Sequence, residues 1–183
     1  MSSSIALPIA AVLYGPDDPV EQLLAHTARL LVARGVRVGG LVQHDIGATE
    51  HDLCCMELED IAGGQRFSLS QNLGKGSQSC RLDPAALAQA AMAIRQAVAA
   101  GVDLVVINKF SSQEVAGSGL RDEMGLVAAA GVPLLTAVGR RFLEQWQEFT
   151  GGESALLAPD GAAILAWWQA VTAARGAAGT GNR

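Results

Sequence analysis

The chain has 183 residues, half of them hydrophobic, and its 13 basic and 18 acidic side chains give a net charge of −5. This composition can fill a core and excludes an intrinsically disordered chain, while the acidic balance excludes a typical binder of the nucleic-acid backbone. The longest nearly apolar run, residues 124–138, contains two glycines and a proline and is shorter than the roughly 20 residues that span a bilayer.

The cysteines and the N-terminal segment bear on the compartment. The three cysteines form no C-x-x-C pair, and their odd number favours reduced thiols in a cytoplasm. The N-terminal residues MSSSIALPIAAVLYG have no basic segment ahead of their apolar stretch and do not resemble a signal peptide. We expect a cytoplasmic protein with one α/β domain over residues 1–175, a flexible tail over residues 176–183, and no nucleic-acid or membrane partner.

The first part of the chain alternates between strand and helix patterns. Apolar, β-branched runs and one amphipathic stretch predict, in order, a strand over residues 5–14, a turn over 15–18, a helix over 19–34 and a strand over 36–43. Asp18 is the expected N-cap of this helix, Pro19 suits its first position, and Glu21 stands three residues after the cap. Together these three residues predict a capping box.

A hairpin with one solvent-facing side is predicted next. Apolar and polar residues alternate over residues 56–59 and again over 67–70, with two glycines between them. A polar, glycine-rich loop then covers residues 71–81. The same kinds of pattern predict the remaining elements: a helix over residues 83–97, a strand over 103–107, a helix over 118–130, a strand over 132–138, and helices over 141–149 and 160–174.

Strands that alternate with helices predict a three-layer α/β domain. A mostly parallel sheet carries helices on both faces, with the hairpin at one edge. Ligands of such sheets bind outside the carboxyl ends of the strands. We therefore expect the site among residues 15–22, 108–114 and 139–141, each of which follows a predicted strand.

The segment after the first strand has the layout of a P-loop without its chemistry. Against the pattern G-x-x-x-x-G-K-S/T, Gly15 matches, but Val20 replaces the second glycine and Glu21 replaces the lysine. The lost lysine removes a charge-assisted bond of about 1.5–3 kcal/mol, and a carboxylate about 5 Å from a phosphate repels it by roughly 3 kcal/mol at an effective dielectric constant of 20. This degenerate phosphate loop either caps its own helix or serves a cation or another ligand; it comprises Gly15, Asp17, Asp18 and Glu21.

Four segments resemble one bacterial family. They are LYGPDDPVEQLL, QNLGKGSQSCRLDPAALAQA, VVINKFSSQEVAGSGLRDEMGLVAAAGVPLLTAV and RRFLEQWQEFTGG, within a stretch from Ile5 to Trp168. The chain resembles the family called domain of unknown function 2478, whose genes often lie beside molybdenum-transport genes. That family is similar to divergent P-loop nucleoside-triphosphatases. The resemblance therefore implies a P-loop-like fold and a link with molybdenum, and it implies no established activity.

A polar cluster follows the predicted strand over residues 103–107. Asn108-Lys109-Phe110-Ser111 is similar to the guanine-reading pattern N-K-x-D, but Ser111 replaces the aspartate that accepts two hydrogen bonds from the base. In the nucleoside-triphosphatase comparison, Asn108 takes the place of the acid that supports Mg²⁺. Loops at this edge of an α/β sheet hold ligands, so we predict a binding role for Asn108, Lys109, Ser111 and Arg121. A solvated loop with a lysine on its rim is the alternative.

The segment over residues 74–81 has the composition best suited to an anion. Its glycines let backbone N–H groups converge, and lysine, serine and arginine side chains add further donors. A fully ionised tetrahedral oxyanion such as molybdate, tungstate, sulfate or phosphate is satisfied by donors alone. The ligand-binding residues predicted here are Lys75, Gly76, Ser77 and Arg81. A flexible loop after the hairpin is the alternative.

The histidines and tryptophans are less specific signals. His44, His51 and the cysteines Cys54 and Cys55 share a polar loop whose spacing matches no compact zinc pattern, so a surface loop is favoured over a metal site. Trp167 and Trp168 point about 100° apart on a helix. One of them is therefore predicted to mark a contact in a homo-oligomer.

Together these features predict a non-catalytic binding protein for a small anionic ligand, molybdate or tungstate, in molybdenum handling. Lysine and arginine side chains neutralise the anion in this hypothesis, while serine, asparagine and backbone N–H groups orient it. The first alternative is a slow nucleoside-triphosphatase that uses an unorthodox site for a Mg-nucleotide. The second is a ligand-free interaction or scaffold module.

Overall fold

A computed structural model describes residues 8–45, 56–71 and 81–180 of the chain. The strands in these residues are β1 Ile9–Tyr14, β2 Val38–Asp45, β3 Met56–Asp60, β4 Arg66–Ser68, β5 Ser70–Gln71, β6 Arg81–Leu82, β7 Leu104–Phe110, β8 Leu134–Gly139 and β9 Ala155–Leu157. The α-helices are α1 Val20–Ala33, α2 Pro84–Ala99, α3 Ser112–Val115, α4 Arg121–Ala129, α5 Leu143–Thr150 and α6 Gly161–Thr180, and a 3₁₀ turn over Arg140–Phe142 precedes α5.

The main sheet has seven strands in the order β4-β3-β2-β7-β8-β1-β9. The five strands from β2 to β9 in this order are parallel, and β3 and β4 pair antiparallel beyond β2. This confirms the predicted α/β fold, with a mostly parallel sheet and a hairpin at one edge. Because β7, β8 and β1 are neighbours, their carboxyl ends meet at the middle of one edge of the sheet.

Two apolar clusters cover the two faces of the sheet. Successive residues of one strand belong to different clusters, as Val105 and Val106 of β7 do, because successive side chains of a strand point to opposite faces. Helices α2, α4 and α5 contribute to the cluster that contains Val105. Helices α1 and α6 contribute to the other cluster. The result is the predicted three-layer arrangement, with α1 and α6 on one face of the sheet and α2, α4 and α5 on the other.

The start of α1 differs from the sequence prediction. Pro19 is the N-cap, and no side chain caps the helix there. Asp18 accepts a hydrogen bond from the N–H of Gly15 instead, and Glu21 pairs with Lys109 of β7. The predicted capping box is therefore wrong, because both carboxylates have partners outside the first turn of α1. At α2 the expected cap is present, since the side chain of Asp83 accepts from the N–H of the second helical residue.

Some boundaries also differ from those predicted. Strand β7 continues to Phe110, so Asn108 and Lys109 lie at a strand end and not in the loop that follows. Gln71 and Arg81 lie in the short strands β5 and β6, at either end of the predicted loop, and residues 72–80 fall outside the described residues. Neither α3 nor β9 is predicted, because four- and three-residue elements are too short to show a period.

The last helix is longer than its pattern indicates. The prediction ends it at Ala174, whereas α6 continues to Thr180. Residues 176–180 of the predicted tail are therefore helical. In the part of the chain that the structure covers, no helix is both long enough and apolar enough to cross a bilayer.

Candidate functional site

The carboxyl end of β7 is irregular where its polar residues begin. Strands β7 and β8 pair in register up to Ile107 and Thr136 and pair again at Phe110, so Asn108 and Lys109 together face a single residue of β8. The peptide bond between Asn108 and Lys109 is cis. An extra residue of this kind makes a β-bulge, which re-aims the side chains around it. The bulge places the Lys109 side chain on the α1 side of the sheet, where Glu21 lies.

Lys109 and Glu21 form a partly buried ion pair across this edge. Lys109 Nζ lies 3.0 Å from Glu21 Oε1, and the two side chains are only 24% and 21% exposed. The ammonium group also lies 5.6 Å from the centroid of the Tyr14 ring at the end of β1. Burial by itself lowers the pKa of Lys109, but the hydrogen bond and charge of Glu21, with a contribution from Tyr14, outweigh burial and raise the pKa above its usual value. Lys109 is therefore positively charged at neutral pH.

The polarity of this ion pair is the reverse of a P-loop enzyme's. In the P-loop pattern a lysine stands at the position of Glu21, and an acid that supports Mg²⁺ stands at the end of the strand that corresponds to β7. Here the start of α1 carries the carboxylate, and the strand end carries an amide and an ammonium group, from Asn108 and Lys109. Set against that pattern, the residues at these two positions carry charges opposite to those expected.

The loop between β1 and α1 forms hydrogen bonds within itself, one of them to the carboxylate of Asp18. The N–H of Gly15 donates to Asp18 Oδ2 at 2.7 Å, and the N–H of Asp18 donates to the carbonyl oxygen of Gly15 at 3.2 Å. Pro19 has no N–H to donate, and Val20 is a buried core residue in the place of the second P-loop glycine. Asp17 is exposed at the tip of the loop. The backbone here therefore offers little to a phosphate in the conformation described.

Asn108 is a buried amide with unused hydrogen-bonding capacity. Its side chain is only 2% exposed, and neither Oδ1 nor Nδ2 has a hydrogen-bond partner among the described residues. A buried polar group without a partner costs about 1–3 kcal/mol, so native proteins usually satisfy it with protein, water or a ligand. Asn108 is therefore the residue of this edge that most clearly calls for an additional partner.

Ser111 and Arg121 have partners within the loop after β7, and the ligand-binding role that the sequence predicts for them stays a prediction. Glu114 is 5% exposed and accepts hydrogen bonds from the N–H and hydroxyl of Ser111 and from the N–H of Leu120. Arg121 donates to the carbonyl oxygen of Glu114, and its guanidinium group lies 4.9 Å from the centroid of the Phe149 ring. The pattern Ser-x-x-Glu is a capping box, a signal that sequence reasoning missed.

The end of β8 adds positive charge to the same edge. Gly139 pairs with Tyr14 in the parallel ladder between β8 and β1. Two exposed arginines, Arg140 and Arg141, follow directly, and the guanidinium group of Arg141 lies 4.6 Å from the centroid of the Phe142 ring. The edge formed by β1, β7 and β8 therefore combines an internal ion pair with a basic rim.

The other predicted sites fall partly or wholly outside the described residues. Lys75, Gly76 and Ser77 lie outside them, as do His51 and both cysteines of the predicted polar loop, and only the backbone of Arg81 is described. His44 Nε2 lies 2.7 Å from Glu59 Oε2, and the described residues contain no group of three or more metal-binding side chains. Trp168 is buried and Trp167 partly buried against the α1-side cluster, so a tryptophan contact between subunits stays a prediction.

Comparison with known proteins identifies the family of the chain. The family model described as "Protein of unknown function (DUF2478)" matches residues 9–167. The chain belongs to the DUF2478 family. This confirms the family resemblance expected from the sequence. A curated relative, the molybdenum import ATP-binding protein ModC 2 of Bradyrhizobium diazoefficiens, is 46% identical over 161 residues, which are 88% of this chain and 18% of the relative. The DUF2478 chain thus spans less than a fifth of that relative's length.

Two solved structures share the fold of this DUF2478 protein. The crystal structure of THEP1 from the hyperthermophile Aquifex aeolicus matches with a TM-score of 0.58 and 12% identity, over 81% of this chain and 87% of that one. The solution structure of a human cancer-related nucleoside triphosphatase matches with a TM-score of 0.52 and 16% identity, over 80% and 86%. At these identities the likeness establishes that the fold is shared and nothing beyond the fold.

Proposed function

We propose that this chain is a non-hydrolysing binding module that holds a tetrahedral oxyanion, molybdate or tungstate, in molybdenum handling. The observation that carries the proposal is the ion pair between Glu21 and Lys109, whose polarity is the reverse of a P-loop enzyme's. A nucleoside-triphosphatase fold with these charges keeps the architecture of a binding site and lacks the means of phosphoryl transfer.

The charges argue against hydrolysis on both sides of the site. Phosphoryl transfer depends on cations that stabilise the phosphate oxygens and on an acid that positions Mg²⁺. Glu21 places a carboxylate where the phosphates need a cation. Asn108 and Lys109 place a neutral and a positive group where Mg²⁺ needs an anion, so triphosphate and metal are both disfavoured.

The same edge suits a small acceptor-only ligand. A fully ionised oxyanion accepts hydrogen bonds and offers none. Lys109 supplies a positive charge at neutral pH, and the Nδ2 group of Asn108 supplies a buried donor that has no partner among the described residues. Arg140 and Arg141 add charge at the rim. Lys75, Gly76, Ser77 and Arg81 remain predicted contributors from the glycine-rich segment.

The link with molybdenum is supported by the relative's printed name, molybdenum import ATP-binding protein. In that relative the matching region is a minor part of a longer polypeptide. We therefore extend the proposal to a role beside the ATP-binding component of molybdenum import, with the oxyanion as the signal that the module detects.

Equilibrium dialysis against molybdate and tungstate tests this function, with the retained metal measured by elemental analysis. We expect retention of at least one of the two oxyanions, and its loss in the Lys109→Ala and Lys75→Ala variants, which remove the two lysines of the chain. Arg66→Ala is the matched control, because it also removes one positive charge but lies on the hairpin. No retention of either oxyanion by the unmodified protein overturns the proposal.

A slow nucleoside-triphosphatase is the second candidate, and the likeness to the two solved structures favours it. That likeness concerns the fold, whereas the reversed ion pair concerns the chemistry, so we rank it below oxyanion binding. Release of phosphate from ATP or GTP with Mg²⁺ separates the two functions.

A further inference from the structure

We infer that the start of α1 fills the anion site of this edge: the carboxylate of Glu21 pairs with Lys109 as an internal mimic of the ligand, and an oxyanion binds by displacing it. This inference rests on the oxyanion-binding function proposed above. It adds an autoinhibitory contact and predicts how the affinity of the site is set.

Two hydrogen-bond donors at this edge already hold carboxylates from the chain that follows β1, one from the loop and one from the start of α1. Lys109 Nζ lies 3.0 Å from Glu21 Oε1, and the N–H of Gly15 lies 2.7 Å from Asp18 Oδ2. Carboxylate and tetrahedral oxyanion have the same chemistry here, since both are charged and both only accept hydrogen bonds. One cation and one backbone N–H are thus occupied in the manner of a bound anion.

Asn108 provides an independent observation at the same strand end. It is adjacent in the chain to Lys109 and is almost fully buried, but both polar atoms of its side chain are without a partner among the described residues. The internal carboxylates satisfy Lys109 and Gly15 and leave this amide unsatisfied. Glu21 pairs with Lys109 and makes no hydrogen bond to Asn108 in the conformation described, so the amide is left available to a ligand that takes the place of Glu21.

Competition between Glu21 and the ligand lowers the apparent affinity. When only a fraction of the molecules has Lys109 free, the apparent dissociation constant rises by the reciprocal of that fraction. Removing the charge of Glu21 frees Lys109 and also removes repulsion of the bound dianion. We therefore expect Glu21→Gln to tighten oxyanion binding by about tenfold, because an ion pair populated in roughly nine of ten molecules has that effect.

Titration calorimetry with sodium molybdate and sodium tungstate tests this on four proteins: unmodified, Glu21→Gln, Glu144→Gln, and the double variant Glu21→Gln/Lys109→Ala. Glu144 is the matched control, because it is also the second residue of a helix and an acidic residue of the first turn, and the substitution is the same. We expect tighter binding in Glu21→Gln, no change in Glu144→Gln, and loss of binding in the double variant. A thermal melt of each protein checks that it is folded, and Glu21→Ala repeats the test with a second substitution at the same position.

The outcomes separate this inference from the proposed function. If the unmodified protein binds oxyanion and Glu21→Gln binds it no more tightly, the inference is overturned and the proposed function stands. If none of the variants binds, both are overturned. If Glu21→Gln binds while the unmodified protein does not, the internal mimic is supported and the function proposed for the unmodified protein fails.

Discussion

The energetic coupling between Glu21 and Lys109 is the most direct physical consequence of the site. Two unit charges 3.0 Å apart attract by about 5 kcal/mol at an effective dielectric constant of 20. Both side chains remain partly exposed, and holding them together costs side-chain entropy. We therefore predict a net coupling of about 1–2 kcal/mol, above the range of a fully exposed pair.

A double-mutant cycle measures this coupling. Urea unfolding of the unmodified protein, Glu21→Gln, Lys109→Gln and the double variant gives the four free energies of unfolding. Each single substitution leaves one partner charged and unpaired, so we expect the double variant to be more stable than the sum of the two single losses implies. A coupling below about 0.3 kcal/mol, which is the usual error of additivity, refutes the ion pair as a feature of the folded protein in solution.

Three further predictions concern stability. The first concerns Lys109, whose pKa is raised in the folded protein. Its contribution to the free energy of unfolding is therefore complete below the unfolded pKa near 10.5 and is lost as the pH rises through the higher folded pKa. Over that pH range, alkaline unfolding curves should show a shrinking difference in stability between the unmodified protein and Lys109→Gln. Gly40→Ala should cost more than about 3 kcal/mol or prevent folding, because its Cβ would lie 1.9 Å from the carbonyl oxygen of Val106, whereas Gly35→Ala, with open space, should cost about 1 kcal/mol in the same unfolding assay. Glu114→Ala should cost about 2–4 kcal/mol and speed amide hydrogen exchange in the loop after β7, because it leaves the buried N–H of Leu120 and the partly buried N–H of Ser111 without their acceptor. Unchanged exchange there contradicts the role assigned to Glu114.

Most of the fold could be predicted because long helices and strands show a periodic pattern of apolar residues. The sequence predicts the four long parallel strands β1, β2, β7 and β8, the hairpin, and five of the α-helices found in the described residues. It misses β9, a three-residue strand at the edge of the sheet, because so short a segment has no period to detect. It ends β7 too early, because polar residues in a bulge read as a loop although the ladder resumes at Phe110.

The site was predictable in its parts and not in its connections. Glu21 and Lys109 are both singled out by the sequence, but they are 88 residues apart, and only the order of the strands brings the ends of β1 and β7 to one edge. The capping box at Asp18 fails for the same reason, because local rules cannot anticipate a carboxylate with a competing partner. The sequence predicts a ligand-binding role for Arg121 from its place after β7, but no local pattern shows that its guanidinium group contacts the carbonyl oxygen of Glu114 and the Phe149 ring.

Phosphate release from Mg-ATP and Mg-GTP tests most directly whether the reversed ion pair has replaced nucleotide hydrolysis. Purified protein and the Lys109→Ala variant should both release phosphate at the rate of protein-free buffer. Release by the unmodified protein that disappears in Lys109→Ala would contradict the account, because it would show that this edge of the sheet cleaves triphosphates with its charges as they stand.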